Sequence, residues 1–302
     1  MTVRSVVLVV VWSSGFIGAE LGARHAGPDT VLAWRGLATA ALLLPWLLRA
    51  ARTFDRPEWG RQAVLGLLIQ GVYLGGVVWA AAAGVPAGTS ALVASLQPAL
   101  VLAAGALLDG HRWRPAHLAG LALGTTGVAL TALGDLRAGV AVAALVLPAA
   151  AMLSLSAGTL LQQRWSSGSA LPVMPTLAVQ STVTAGLFTA VAAGTGGLTP
   201  PATAGFRIAV AWAALAGIAS YGVYHLVTTR DGAGRASTLL YLTPAATALW
   251  AAAMFGQPLR AATLLGLLVS AAAVVLLRDT PGTREAVSTP ERSLPPRAAP
   301  RP

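Results

Sequence analysis

Apolar runs about as long as the ~20 residues a bilayer-spanning helix needs recur ten times along the chain, roughly at 5–23, 31–50, 62–83, 88–108, 116–133, 139–162, 174–194, 206–229, 234–255 and 261–277. Short polar breaks separate them. From Arg278 onward prolines and arginines dominate, no apolar periodicity survives, and the composition predicts a disordered tail over 278–302. Arg4 followed by Val6–Trp12 has the outline of a signal peptide, but nine further apolar segments come after it, with no small-residue cleavage site before a soluble domain. The pattern therefore predicts an uncleaved first span in an all-α integral membrane protein of ten transmembrane helices.

The apolar pattern is also written twice. Gly88–Leu130 and Gly234–Leu276 align without a gap, 146 residues apart, so that Pro98 falls on Pro244, Gly110 on Gly256, Arg114 on Arg260 and Gly120 on Gly266. Alanine and leucine matches carry little in so alanine-rich a chain; proline, glycine and arginine matches in register carry more. A second echo sets LAWRGLATAAL (Leu32–Leu42) against LAVQSTVTAGL (Leu177–Leu187), so that Gln180 answers Arg35. The repeated pairs, spans four–five and nine–ten, lie five spans apart, and an odd separation turns the second copy upside down in the membrane. The expected architecture is two inverted five-helix repeats, 1–134 and 135–277, a transporter design in which similar halves exchange conformations.

Composition agrees: 56% of residues are hydrophobic and 10% charged, against ~25% charged in ordinary soluble domains. Cysteine is absent, which removes disulfides and thiolate metal sites. The net charge of +10 could signal nucleic acid, but its distribution says otherwise. With the N-terminus in the cytoplasm, fifteen arginines fall on that side, among them Arg49, Arg52, Arg56 and Arg61; only Arg24, Arg137, Arg207 and Arg260 fall outside. That bias predicts both termini in the cytoplasm, in the cell's inner (plasma) membrane, and no nucleic-acid partner.

Within the spans, polar residues sit at helical spacing. Ser13, Ile17 and Glu20 share a face of span one; Gln70, Tyr73 and Val77 one of span three; Ser90, Ala94 and Gln97 one of span four. Ser154, Gly158 and Gln162 share a face of span six, and Thr176, Gln180 and Thr184 one of span seven. Span eight is the most polar, with Tyr221, Tyr224, His225 and Thr228; span nine offers Ser237, Tyr241 and Pro244. Spans five and ten are nearly bare, which predicts a central cavity with two peripheral helices. Gly120, Gly124 and Gly127 suit close helix packing, either internal or in a homodimer.

These residues carry a resemblance. The chain resembles a ten-helix member of the drug/metabolite transporter superfamily with two EamA-type repeats. The resemblance rests on Trp12, Ser14 and Phe16, on Arg35 early in span two, on Gln97-Pro98 in span four, on the recurring proline of span nine and on the glycine-rich spans five and ten. It covers about 5–277. Gly110-His111 and Gly256-Gln257 stand where family repeats often carry Gly-Glu. The resemblance implies movement of amino acids, nucleotide sugars, drugs or other small metabolites.

Ionisable groups inside spans are costly and so are functional suspects. Arg35 could bind an anionic substrate group, pair with Glu20, or snorkel to headgroups. Glu20 could couple protons or sit at the interface; His225 could titrate near neutral pH or close an interhelical hydrogen bond. Gln70, Tyr73, Gln97, Gln180, Tyr221, Tyr224 and Tyr241 could line the substrate cavity, with Pro98 and Pro244 as points of helix deformation. There is no HExxH, no phosphate-cradling loop with lysine and no in-membrane His/Asp cluster, so neither an enzyme, a cofactor, a metal nor a self-contained ATP-driven pump is expected. The sequence points to a secondary exporter of small metabolites or drugs, with protons as a coupling ion. The alternatives are an uncoupled facilitator of the same fold and a lipid-handling membrane enzyme.

Overall fold

The computed structural model describes residues 3–108, 115–165, 171–231 and 239–278, and among them there is no strand. Among the described residues five helical segments are long and apolar enough to cross a bilayer: α1 (Val3–Ala23), a compound segment Arg56–Ala82, α9 (Val142–Trp165), α10 (Val173–Thr195) and Ala204–Tyr224, the first part of α11 (Ala204–Asp231). A bent pair makes a sixth. The remaining helices are α6 (Ala87–Ala94), α7 (Gln97–Leu108), α8 (Pro115–Arg137), α12 (Thr243–Phe255) and α13 (Ala261–Arg278).

The bent pair corrects the expected second span. In place of one helix over 31–50, α2 (Pro28–Leu42) and α3 (Leu44–Thr53) meet at 66°. Pro45 explains the break: it has no N–H to donate and its ring crowds the carbonyl four residues back. Beyond the bend, Leu44, Trp46 and Leu48 are exposed and Arg49 and Arg52 come next, the make-up of a helix lying along a bilayer surface. The compound segment is also irregular. It comprises α4 (Arg56–Gly66), whose N-terminus Asp55 caps by accepting from the Glu58 N–H at 2.9 Å, then a π-turn at Leu67–Val72, then α5 (Tyr73–Ala82). A π-turn rotates the helix beyond it and loosens the backbone ladder; here the Ser154 hydroxyl of α9 donates to the Leu68 carbonyl at 2.9 Å.

The most extensive helix contacts are α8 with α13, α2 with α10, α1 with α11, α5 with α9 and α6 with α12, and α1 also packs on α12 and α2 on α11. Counting the described helices as ten chain segments, with α2–α3, Arg56–Ala82 and α6–α7 one segment each, a shift of five segments leaves the set of the first five pairs unchanged. It exchanges the α1/α11 pair with the α9/α5 pair and returns each of the other three to itself.

The turns at one end of the bundle are tied together. The Arg24 guanidinium stacks 4.5 Å over the Phe255 ring, Ala87 N–H donates to Gln257 at 3.2 Å, and Arg260 reaches Asp135 at 3.4 Å. Asp135 also accepts from Thr89 at 2.6 Å, and Thr195 donates to Asp29. Several residues of the stretch 234–276 that match the earlier stretch in sequence have structural tasks here. Pro244 opens α12 after a two-residue turn, as Pro98 opens α7 after Ser95–Leu96. Gly256 ends α12 at φ +67, where a side chain would be strained. Gly266 lies so close to Gly127 and Thr131 of α8 that a β-carbon would overlap both. Gly110, Arg114 and the side-chain environment of Gly120 lie outside the described residues.

Candidate functional site: a cavity around Arg35

A cavity of about 450 Å³ lies between the helices, within the range of small-molecule sites. From α1 it takes Trp12, Gly15, Phe16 and Ala19, spaced i, i+3, i+4 and i+7. The expected face of Ser13, Ile17 and Glu20 turns elsewhere: Ser13 donates to the Thr243 carbonyl of α12 at 3.4 Å. From α2 come Arg35 and Thr39, and from the π-turn and α5 come Gln70, Tyr73 and Val77, the face that the spacing predicts. Gln97, Thr159, Gln162, Ser181, Thr184, Phe188, Ser220, Tyr221 and Tyr224 complete the polar and aromatic wall. None of the described lining residues belongs to α8 or α13.

Arg35 is the one side chain with a formal charge among the described lining residues. Its guanidinium interacts electrostatically with the phenols of Tyr221 and Tyr73, but makes no hydrogen bond and no ion pair with the described residues. Thr39 donates to its backbone carbonyl at 2.8 Å. The expected pairing with Glu20 is not what the molecule builds. Glu20 is buried and bonds Arg24 one turn on, at 2.9 Å, and it is not part of the cavity wall. A carboxylate at i and an arginine at i+4 meet on the same helix face, so the local partner takes it.

The remaining expected residues divide. Tyr221 and Tyr224 pack around Trp12, with ring centroids 6.5 and 5.5 Å from it, and all three line the cavity. Gln97 lines it while donating to Thr159 at 3.1 Å. Gln180 does not line it: it is buried in a chain of amides. Ser181 donates to Gln70 at 3.1 Å, Gln70 to Gln180 at 3.3 Å, Gln180 to Gln62 at 2.8 Å, and Gln62 to the Glu58 carboxylate at 2.7 Å. Each donor points along the same direction, from the cavity wall to the start of α4, so the bonds polarise one another. Tyr241 is half-buried and outside the cavity lining, as are Pro98 and Pro244. The side chain of His225, one turn beyond Tyr221, lies outside the described residues, as do Ser237 and the side chain of Thr228. Sequence reasoning missed Gln62, Thr159, Ser181 and Phe188. Gln62 stood at the start of an apolar run, and Thr159 and Phe188 fell off the polar faces picked out by spacing.

The sequence over residues 4–133 matches the EamA-like transporter family. These residues are an EamA-like transporter domain. The family is one of membrane transporters of the drug/metabolite type, and the apolar helices agree with a multi-pass membrane protein. A solved crystal structure aligns over 95% of this chain and 98% of its own with a TM-score of 0.61 at 21% identity, a likeness of fold. No curated protein matches the chain. Arg35, Gln70, Tyr73 and Gln97 lie inside the EamA-like domain, whereas Gln162, Ser181, Tyr221 and Tyr224 lie beyond it. The cavity is thus built jointly by the EamA-like domain and the helices that come after it.

Proposed function

We propose that this chain is a secondary active transporter exporting small organic metabolites or drugs by alternating access, with Arg35 binding an anionic group of the substrate. The observation that carries this reading is Arg35 itself: a cation without a hydrogen-bonding or ionic partner among the described residues, lining a cavity large enough for a small molecule. An intramembrane arginine is costly unless something compensates it, and a substrate anion would do so in each cycle. Two inverted repeats, 1–134 and 135–277, would rock about that site; the exchange of helix pairs under a five-span shift supports them. The arginine bias supports cytoplasmic termini in the plasma (inner) membrane, with the stitched end of the bundle outside. Proton coupling falls to His225 in this reading, because Glu20 is held by Arg24 away from the cavity.

The test uses inside-out vesicles holding a respiration-driven pH gradient, with and without the protein. Solutes are added one class at a time while a pH-sensitive dye tracks the gradient. Protein-dependent collapse by one class is the expected result. Movement of labelled solute with no effect on the gradient would leave a facilitator, and no movement of any solute by folded protein would overturn transport.

A further inference from the structure

We propose that the cavity selects amphipathic organic monoanions, carboxylates with an apolar or aromatic body and no ammonium group; this rests on the transporter reading above. Charge is the first argument. The described lining carries Arg35 and no carboxylate, so a cationic solute meets repulsion with no counter-ion, and a dianion would bring in one charge that nothing balances. A single carboxylate matches the guanidinium in charge and in its two-pronged geometry.

Hydrogen bonding separates a plain carboxylate from an amino acid. An ammonium group needs a counter-charge as well as acceptors; the described lining offers no carboxylate, and two of the amide oxygens there and behind it already accept one hydrogen bond each. Gln70 accepts from Ser181, and the Gln180 behind it accepts from Gln70. Tyr73 and Tyr221, which share the cavity wall with Arg35, have hydroxyls that can donate to a carboxylate. A zwitterion would therefore bind its carboxylate and leave its ammonium poorly solvated, at a cost that the free monoanion avoids. Shape supplies the rest: Trp12, Phe16, Phe188 and Tyr224 make an aromatic wall suited to a flat or branched apolar body.

The test compares four probes that share one phenyl body: 3-phenylpropanoate, phenylalanine, 2-phenylethylamine and phenylsuccinate. Binding to the purified full chain in lipid nanodiscs is monitored by tryptophan fluorescence, and counterflow is measured in liposomes. We expect 3-phenylpropanoate to bind at least about tenfold tighter than the other three, a preference that a charge-assisted pair can supply. Arg35→Gln should erase the preference, Arg35→Lys should keep part of it, and Arg24→Gln should leave it intact. Equal or tighter binding of the amine or the amino acid, binding of none of the four, or an unchanged preference in Arg35→Gln would overturn the assignment. The two readings fail separately. Selective binding without counterflow would sink transport and leave the monoanion site standing; counterflow that favours the amine would do the reverse.

Discussion

Arg35 and Gln180 answer each other in the two matching stretches of sequence, on helices α2 and α10 that pack together, yet their surroundings are opposite. Gln180 is buried, donates to Gln62, accepts from Gln70 and is absent from the cavity wall. Arg35 stands in that wall with no hydrogen bond or ion pair to any described residue. Two positions that match in sequence are thus a bonded strut in one case and, among the described residues, a cation without a hydrogen bond or ion pair in the other. Matching sequence predicted matching placement, but partners decide what a polar residue in a bilayer does. A satisfied amide holds helices together; the guanidinium, in the proposed reading, holds a place for a ligand.

The largest expected effect comes from removing the free cation. In the proposed transporter, Arg35→Gln should lower uptake by about two orders of magnitude or more, the worth of a buried charge-assisted pair. The melting temperature should hold or rise, because the substitution takes an uncompensated charge out of a low-dielectric site. Uptake in liposomes and thermal unfolding of the same preparation read both. A variant that transports normally, or one that unfolds, would place Arg35 with the struts.

Gln180→Leu should do the opposite. It breaks two bonds of the amide chain and strands the Gln62 carbonyl and the Gln70 amide in the interior. Each stranded buried group costs ~1–3 kcal/mol, so a loss of about 2–4 kcal/mol in stability is expected, with the order of preference among anionic and cationic probes unchanged. Urea unfolding together with probe binding makes the comparison.

Which of these roles could be read in advance depended on range. Apolar runs anticipated the five described segments long enough to cross a bilayer, and helical spacing anticipated that Gln70, Tyr73 and Val77 share the cavity, even though Gln70 lies in the π-turn. The π-turn was hidden. It is stabilised partly by Ser154 from a helix 86 residues away, and no local pattern announces that bond. Glu20 shows the other limit. Its partner was four residues along, but the sequence offered Arg35 as well, and only the direction of the α1 face separates them. Pro244, Gly256 and Gly266 stood out as matches between two stretches of sequence, while their tasks as helix start, helix stop and close contact depended on their neighbours.

Arg260 extends the comparison to an arginine with a partner. Its partner Asp135 is 1% exposed, whereas Arg260 itself is 35% exposed. Arg260→Ala would leave the buried carboxylate with Thr89 as its side-chain partner among the described residues, at a cost of about 1–3 kcal/mol, below the full penalty for a deeply buried pair because one side is wet. Adding Asp135→Asn should return part of the loss, since the uncompensated charge goes with it. A double-mutant cycle on thermal stability measures this, and transport by the double variant should stay within about twofold of the parent, because neither residue touches the cavity.

Glu20→Gln is the smallest expected change and the sharpest one for coupling. Arg24 is 45% exposed, so loss of its carboxylate partner leaves a guanidinium that water can solvate and that still lies over Phe255. An ion pair with one wet member contributes no more than about 1 kcal/mol, and the melting temperature should move little. If pairing is what separates structural charges from functional ones, collapse of the pH gradient by substrate should be as fast in Glu20→Gln vesicles as in the parent, and His225→Gln should be the variant that uncouples. Loss of gradient collapse in Glu20→Gln, with labelled solute still moving, would show that a paired carboxylate outside the cavity carries the proton, and having a partner would no longer tell a strut from a site.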